Sequence, residues 1–323
     1  MKSITLTQLH YIVAVAQKQN FGLAAKSCFV TQPTLSMQIQ KLEADLGAIL
    51  FDRTKKPVEP TPAGRKIIEQ ARIVLQEALR IEELIETEKG EVGGEFKLGV
   101  IPTLAPYLLP LFLEKFIKYF PKVDLIIEEL QTAAIIAQLQ ENTLDAGILV
   151  TPLHQRGLIE KPLFQEPFVV YLSPRHPLQK FAQVSEKELS LKDIWLLNEG
   201  HCFREQAMDL CRKKKAEVLQ HPNLVFESGN LETLKRLVDN NFGYTLLPYL
   251  AIMDMAGRNN KKKLRFFKSP IPTREVSMVY SRSFLKQGII EALSQTILSV
   301  IPEKLKQPQM KNRIVDLPSL RQK

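Results

Sequence analysis

Two cysteines, Cys202 and Cys211, stand nine residues apart, with His201 before the first and Arg204 two positions after it. A thiol attacks as its thiolate, and His201 and Arg204 supply cationic groups that could lower the pKa of Cys202. If Cys202–Cys211 is one continuous helix, nine steps of about 100° place the sulfurs on opposite faces, about 13–14 Å apart along the axis. A disulfide needs Cα atoms within about 7 Å. Helix and bridge therefore exclude each other, and joining the sulfurs requires the segment to unwind, which makes it a two-state element biased by redox chemistry. The alternative is a pair of inert cysteines packed as small hydrophobes. No further Cys or His lies at ligand spacing, so no metal site is expected. The third cysteine, Cys28, is expected in a helical core.

A second set of residues has the chemistry of nucleic-acid contact. Thr31, Gln32, Pro33, Thr34, Ser36 and Gln38 open a segment whose apolar residues Leu35, Ile39, Leu42 and Leu46 recur at helical spacing. Gln can pair bidentately with adenine and a Thr methyl can touch a thymine methyl. Lys41, Arg53, Lys55 and Lys56 suit phosphates. The same residues also make an ordinary polar helix face. Met37 interrupts this polar series.

The elements that must carry these residues follow from pattern. Leu6, Leu9, Ile12, Val13 and Ala16 predict one helix and Phe21–Phe29 a second. Thr31 can cap a third, with Pro33 in its first turn and Gly47 at its end. Leu50–Pro62 holds Arg53, Lys55, Lys56 and three prolines, which suits a basic wing. The whole reads as a winged helix-turn-helix. Beyond it, Ile67, Ala71, Val74, Ala78, Ile81 and Ile85 alternate steps of four and three. That is a heptad seam, fitting either a dimer contact or an amphipathic helix lying on its own domain. Glu88–Gly94 is a break rich in glycine and charge. After it, candidate strands at Phe96–Ile101, Asp124–Leu130, Ala146–Val150, Phe168–Leu172, Leu224–Glu227 and Val276–Tyr280 alternate with helical patterns, the mark of an α/β domain.

Composition bounds the function. Among 323 residues the net charge is +9, but residues 1–66 carry nine Lys/Arg against four Asp/Glu and residues 67–89 three against six. A basic head before an acidic helix suits a nucleic-acid reader attached to something else. The apolar run Ile12–Ala16 is too short for a signal peptide, and Val100–Leu113 contains three prolines and is too short to span a bilayer. The chain is therefore expected in the cytoplasm, away from membranes. No Gly-rich phosphate loop or thioredoxin-type cysteine motif is present, so neither a cofactor nor a catalytic cycle is expected.

The run from Phe21 through Ala24-Ala25, Val30-Thr31-Gln32-Pro33-Thr34-Leu35-Ser36, Gln38-Ile39, Leu42-Glu43 and Leu46-Gly47 to Leu50-Phe51, with Arg53 and Thr61-Pro62-Ala63-Gly64, resembles the DNA-binding head of LysR-type regulators. In that family Met37 occupies a position where many heads carry Arg. The C-terminal part is similar to the family's hydrogen-peroxide sensors through Ile101-Pro102-Thr103, Pro106–Pro110, Gln131-Thr132, Leu144-Asp145, Glu199-Gly200-His201-Cys202, Arg204, Gln206-Ala207-Met208, Cys211, Leu231–Leu234, Leu246-Leu247-Pro248 and Arg274. The resemblance implies a winged helix-turn-helix over 1–62, a linker and dimerisation helix over 63–90, and a two-lobed effector domain like periplasmic binding proteins over 91–302. Lobe I would hold 93–164 and 270–302, and lobe II 165–269. The resemblance does not reach residues 303–323, whose basic composition suggests a disordered tail.

It also implies that Cys202 is oxidised first and Cys211 closes the bridge, with Thr103, Thr132, Asp145, His201 and Arg274 around the peroxide. The implied partners are double-stranded promoter DNA, further copies of the chain as a homodimer or homotetramer, and RNA polymerase. Three alternatives remain open at this point. One is a regulator of the same architecture triggered by a small metabolite, the second a thiol peroxidase, the third a transport binding protein.

Overall fold

The computed structural model describes residues 4–88, 92–211, 226, 228–253, 255, 262–281, 286–306 and 312–317. The chain forms two compact units, Met1–Glu91 and Val92–Lys323.

In the first unit α1 (Leu6–Lys18), α2 (Phe21–Ser27) and α3 (Gln32–Leu46) precede β1 (Phe51–Asp52), β2 (Glu59–Pro60) and α4 (Pro62–Glu88). The start of each of the first three helices is written in its capping residue, because the first backbone N–H groups of a helix lack internal partners. The side chains of Thr5, Asn20 and Thr31 accept from Gln8 N, Leu23 N and Thr34 N respectively. Ile12, Val15, Ala24, Leu35, Ile39, Leu42 and Leu50 are fully buried together. The antiparallel pair β1–β2 is the wing. Gly64 closes it against the head: a Cβ there would lie 2.0 Å from the Leu50 carbonyl oxygen.

The seam of α4 divides. Ile67 and Ala71 pack into the head's own core beside Ile68 and Leu75, whereas Val74 and Ile81 are exposed. The first third of the expected dimer seam is thus consumed by its own domain, because those residues face α1. The side chain of Ile85 lies outside the described residues.

The second unit contains β3 (Gly94–Val100), α5 (Ala105–Tyr119), β4 (Val123–Glu129), α6 (Thr132–Gln140), β5 (Ala146–Thr151) and β6 (Leu158–Leu172). Then come β7 (Gln183–Val184), β8 (Ile194–Trp195), α7 (Cys202–Cys211), α8 (Leu231–Asp239), β9 (Tyr244–Pro248), β10 (Leu264–Phe267), β11 (Ile271–Ser281), α9 (Gln287–Val300), α10 (Glu303–Lys306) and β12 (Asn312–Ile314). Strands β4, β3 and β5 are parallel, and β11 pairs antiparallel to β5. The long strand β6 runs antiparallel to β11 over its first ten residues and to β9 and β10 over its last five. Two hydrophobic cores flank this crossing. One gathers Phe96, Leu108, Phe112, Ile135, Ile148, Val276 and Leu293, the other Val169, Tyr171, Leu210, Leu234, Tyr244 and Leu247.

The first ten residues of β6 escape a sequence reading. Pro162 and Pro167 lack a ladder N–H, and the register shifts opposite Val276/Ser277, breaking the alternation a strand normally shows. The expected strand at 224–227 falls outside the described residues except Phe226, which is not in a strand. One expectation is overturned. The segment taken as a disordered tail contains α10 and β12, the latter paired in parallel with Ile271–Thr273, and it buries Leu305, Val315 and Leu317 completely. Its basic residues hid a short apolar pattern at Ile314, Val315 and Leu317. Among the described residues no helix is long and apolar enough to cross a membrane.

Candidate functional site

The helix α7 begins at Cys202 and its last described residue is Cys211, so the two cysteines sit on opposite faces of one continuous helix. Its start is set by Gly200, whose φ of +90° is open to glycine, and where a Cβ would lie 2.6 Å from Gln131 Oε1. The His201 carbonyl then accepts from Arg204 N at 2.9 Å. Cys202 is buried in the core of Leu98, Ile101 and Ile135, while Phe203, Ala207, Leu210 and Cys211 are buried in the other core. The helix therefore bridges two packed interiors with one thiol committed to each. Both cysteines are free thiols.

Among the described residues, Arg274 is the cation whose charge acts on Cys202. It is fully buried and paired with Glu166, which is also fully buried, through Nη2–Oε2 at 2.7 Å and Nε–Oε2 at 2.9 Å. Its Nη1 donates to Thr103 Oγ1 at 2.9 Å and its Nη2 to the Thr103 carbonyl at 3.1 Å. The guanidinium lies 5.2 Å from the centre of the Phe203 ring, on the residue after Cys202. The second carboxylate oxygen of Glu166 accepts from Leu250 N at 2.7 Å. A buried arginine needs this degree of satisfaction, since an unpaired buried charge costs several kcal/mol.

Burial pushes the Cys202 thiol above its usual pKa, opposed chiefly by the Arg274 charge and then by the Thr132 hydroxyl. Thr132 opens α6 and its Oγ1 is buried without a hydrogen-bond partner of its own. This hydroxyl is thus near enough to favour a thiolate and remains available to donate. His201 is buried, and burial lowers its pKa below the usual 6.5, so near neutrality it is an uncharged imidazole. Arg204 donates to the Leu197 carbonyl at 2.7 Å. The expected pair of cations beside Cys202 is therefore replaced by Arg274, from a strand more than seventy residues away in sequence.

Cys211 lies 3.7 Å from the Tyr244 hydroxyl, which also donates to the Ser190 carbonyl at 2.8 Å. Burial drives its pKa up to about 11, the Tyr244 contact opposing and the Asp193 and Glu186 carboxylates reinforcing the rise. Between the thiols Gln206 is completely buried, and its Nε2 donates to the Val315 carbonyl at 2.6 Å, tying α7 to the segment after β12.

The structure brings together Thr103 and Arg274, with Thr132 and Arg274 acting on Cys202. Asp145 is not brought to them. It precedes β5, accepts from Lys97 N at 2.7 Å and pairs with Lys286 at 3.3 Å, at the end of the parallel strands opposite Thr103. The resemblance through Leu144-Asp145 implied a pocket residue, but this carboxylate accepts from the strand β3 backbone at Lys97. Glu166 and Phe203 are residues that sequence reasoning missed, and Gln206 entered only through the resemblance, without a role. A lone carboxylate inside the apolar stretch Leu163–Leu172 was the available signal for Glu166.

On the first unit, Thr31, Gln32, Pro33, Thr34 and Lys41 are exposed along α3. Ser36 and Gln38 are half-buried and engaged: Arg53 donates to Ser36 Oγ at 3.1 Å, and Gln8 Nε2 to Gln38 Oε1 at 3.4 Å. Arg53 also pairs with Glu43 at 3.0 Å and stacks 4.9 Å from the Phe21 ring centre. Lys55 pairs with Glu59 at 2.6 Å, which raises its pKa, and Lys56 is exposed. Cys28 is the half-buried C-cap of α2, against the head's core.

Comparison with known proteins places both units. The profile described as "Bacterial regulatory helix-turn-helix protein, lysR family" matches residues 6–65, and "LysR substrate binding domain" matches residues 89–301. The "Hydrogen peroxide-inducible genes activator" of Dickeya chrysanthemi is 37% identical over 294 residues, 91% of this chain and 95% of that protein. The "DNA-binding transcriptional dual regulator OxyR" of Escherichia coli is 36% identical over 294 residues, with 91% and 95% covered. A full-length OxyR from Pseudomonas aeruginosa, solved with a cysteine changed to aspartate, superposes with a TM-score of 0.78 at 36% identity, covering 95% of this chain and 99% of that one. A cysteine-to-serine mutant of Corynebacterium glutamicum OxyR with H2O2 bound gives a TM-score of 0.60 at 30% identity, with 92% of each chain covered.

Proposed function

The chain belongs to the LysR family and is an OxyR-like transcription regulator rather than an enzyme, and on that premise we propose that it senses hydrogen peroxide by converting the Cys202 and Cys211 thiols to a disulfide. The Cys202 thiolate attacks one peroxide oxygen; an S–O bond forms, the O–O bond breaks, and the departing oxygen takes up a proton and leaves as water. The Cys211 thiolate then attacks the sulfenic sulfur, the S–O bond breaks, and a second water departs as the S–S bond forms. Two thiols are oxidised and one peroxide is reduced to two waters.

The observation that carries this reading is the continuous helix with a thiol in each core. Its sulfurs can meet only if α7 unwinds, so the chemical event is also a refolding event. Arg274 and Thr103 are fixed in place by Glu166, and Thr132 keeps an unused hydroxyl, an arrangement that suits a small polar oxidant and its leaving oxygen. Burial shields the resting thiol from bulky oxidants, and the Arg274 charge and the Thr132 hydroxyl oppose the rise in pKa that burial causes, favouring the attacking thiolate. The two cores support a division into lobe I (93–164 and 270–302) and lobe II (165–269), with α7 between them.

On the DNA side, the wing and α3 would read promoter DNA, with exposed Thr31, Gln32, Thr34 and Lys41 toward the groove and Lys56 toward phosphate. Lys55 and Arg53, already paired within the head, would orient rather than grip. The exposed Val74 and Ile81 of α4 support a dimer joined along that helix. Hydrogen peroxide would be the signal this chain receives, as the names of its relatives indicate for them, and RNA polymerase its downstream partner.

Mass spectrometry of the full chain after micromolar peroxide tests the redox reading. A Cys202–Cys211 linkage is expected, lost in Cys202→Ser, whereas Cys211→Ser should retain a trappable sulfenic acid. A normal peroxide response in Cys202→Ser would refute it.

A further inference from the structure

The outward face of α3 is not the polar face its sequence suggests. Taking Met37 as the reference and about 100° per residue, Ala44 lies within 20° of it, Pro33 and Lys41 within 40°, and Thr34 and Gln40 within 60°. All of these are exposed, and Met37 is 59% exposed. Ser36 and Gln38, the obvious polar readers, lie about 100° to either side. Both are engaged by the head itself, Ser36 by Arg53 and Gln38 by Gln8. The Thr34 hydroxyl sits 2.8 Å from the Thr31 hydroxyl that caps the helix. The centre of the face is therefore a thioether.

From this geometry we infer that Met37 is a specificity-determining residue that reads the C5-methyl group of thymine in the major groove. The inference rests on α3 being the helix that enters that groove, and it deepens the DNA-binding reading. Residues in the first half of a recognition helix meet base edges, and Met37 is the sixth residue of α3. A methionine side chain has no hydrogen-bond donor and only a weak acceptor. Of the groups displayed in the major groove, the purine N7 and O6 acceptors and the amino donors gain nothing from it, whereas the thymine methyl is apolar. Methionine is also unbranched and adapts to the surface it covers. A head whose central residue is Met37 should therefore prefer T·A beneath it, once in each half-site.

The test uses full-length protein and a randomised DNA duplex library. Selection should yield sites with a fixed thymine in each half. Replacing that thymine by deoxyuracil removes only the methyl group and should weaken binding about fourfold, the worth of one buried methyl. In Met37→Ala the same replacement should have no effect, and selection should lose the thymine. Met37→Leu, which keeps an apolar end, should retain the discrimination. If uracil replacement costs the wild type and Met37→Ala equally at every position, Met37 does not read a methyl and the inference falls. A protein that selects no sequence at all overturns the DNA-reading role itself, which keeps the two failures distinct.

Discussion

Replacing Gln206 by Ala is expected to make the Cys202–Cys211 disulfide harder to reduce. Gln206 lies on α7, completely buried, and its Nε2 donates to the Val315 carbonyl at 2.6 Å. Val315 is held in turn by its N–H to the Thr273 carbonyl at 2.9 Å, by its place in the core around Cys211, and by β12 pairing with β11. This contact belongs to the helical form of α7 and has to break when the helix unwinds. Orphaning a buried carbonyl costs about 1–3 kcal/mol. Gln206 Oε1 is itself buried without a partner, so deleting the side chain also removes an unsatisfied oxygen, and a net loss of about 1–2 kcal/mol from the reduced form is expected. The oxidised form, with α7 unwound, loses little. Since about 1.4 kcal/mol corresponds to 30 mV for a two-electron couple, the reduction potential should fall by about 20–45 mV. Equilibration in dithiothreitol or glutathione buffers, followed by thiol trapping and mass counting, measures it. An unchanged or less negative potential would show that α7 keeps its contact with the C-terminal segment in both states, and the refolding argument would fail.

Other consequences follow from the same site. Arg274→Met leaves Glu166 buried without its cation and should lower the stability of the reduced protein by about 3–5 kcal/mol, read from the urea midpoint; the midpoint of Glu166→Gln should fall too, through an unpaired Arg274. The raised pKa of Cys211, about 11 against 9.0, means that the folded state holds a proton which the unfolded state releases between those values. Stability from this group is complete below pH 9 and is lost as pH rises toward 11, by about 3 kcal/mol. Denaturation of wild type against Cys211→Ala across that window should show the difference, and parallel profiles would contradict it. Gly200→Ala combines a positive φ with an approach to Gln131, so it should cost about 1–3 kcal/mol and slow Cys202 oxidation by displacing the start of α7. Stopped-flow thiol loss would check the rate.

How much of this was legible in the sequence depends on the range of the interaction. The three helices of the head were readable because Thr31, Pro33, Gly47 and the stripe Leu35, Ile39, Leu42 and Leu46 are local signals, and each occupies the position its chemistry favours. The exclusion between helix and bridge was readable because it needs only helical rise and the spacing of two cysteines. What surrounds Cys202 was not. Nearest neighbours in sequence suggested His201 and Arg204, yet the former is neutral and the latter serves a carbonyl, while the effective cation comes from β11 and is itself fixed by a glutamate on β6. Such a cluster is made by strand pairing between residues 166 and 274, and no local periodicity encodes it. The tail failed for a related reason. Scattered Lys and Arg mask the pattern, but three side chains, Leu305, Val315 and Leu317, find a place inside the fold.

The placement of the two thiols in different cores has a mechanical consequence. A side chain in a close-packed interior cannot leave without disturbing its neighbours, because cores have few alternative packings. Cys202 is packed among residues of β3 and α6, and Cys211 among residues of β9. A bond between them would withdraw one or both sulfurs from its own interior and pull the α7 residue Phe203 away from Arg274 and Phe168, which its ring contacts. The change at a single S–S bond would thereby be imposed on the crossing strands β6 and β11, which carry Phe168, Glu166 and Arg274 and run through both cores. A thiol pair confined to one core would alter that core alone. A pair divided between two, on a helix that must unwind to join them, would convert the oxidation of two sulfur atoms into a rearrangement of both cores.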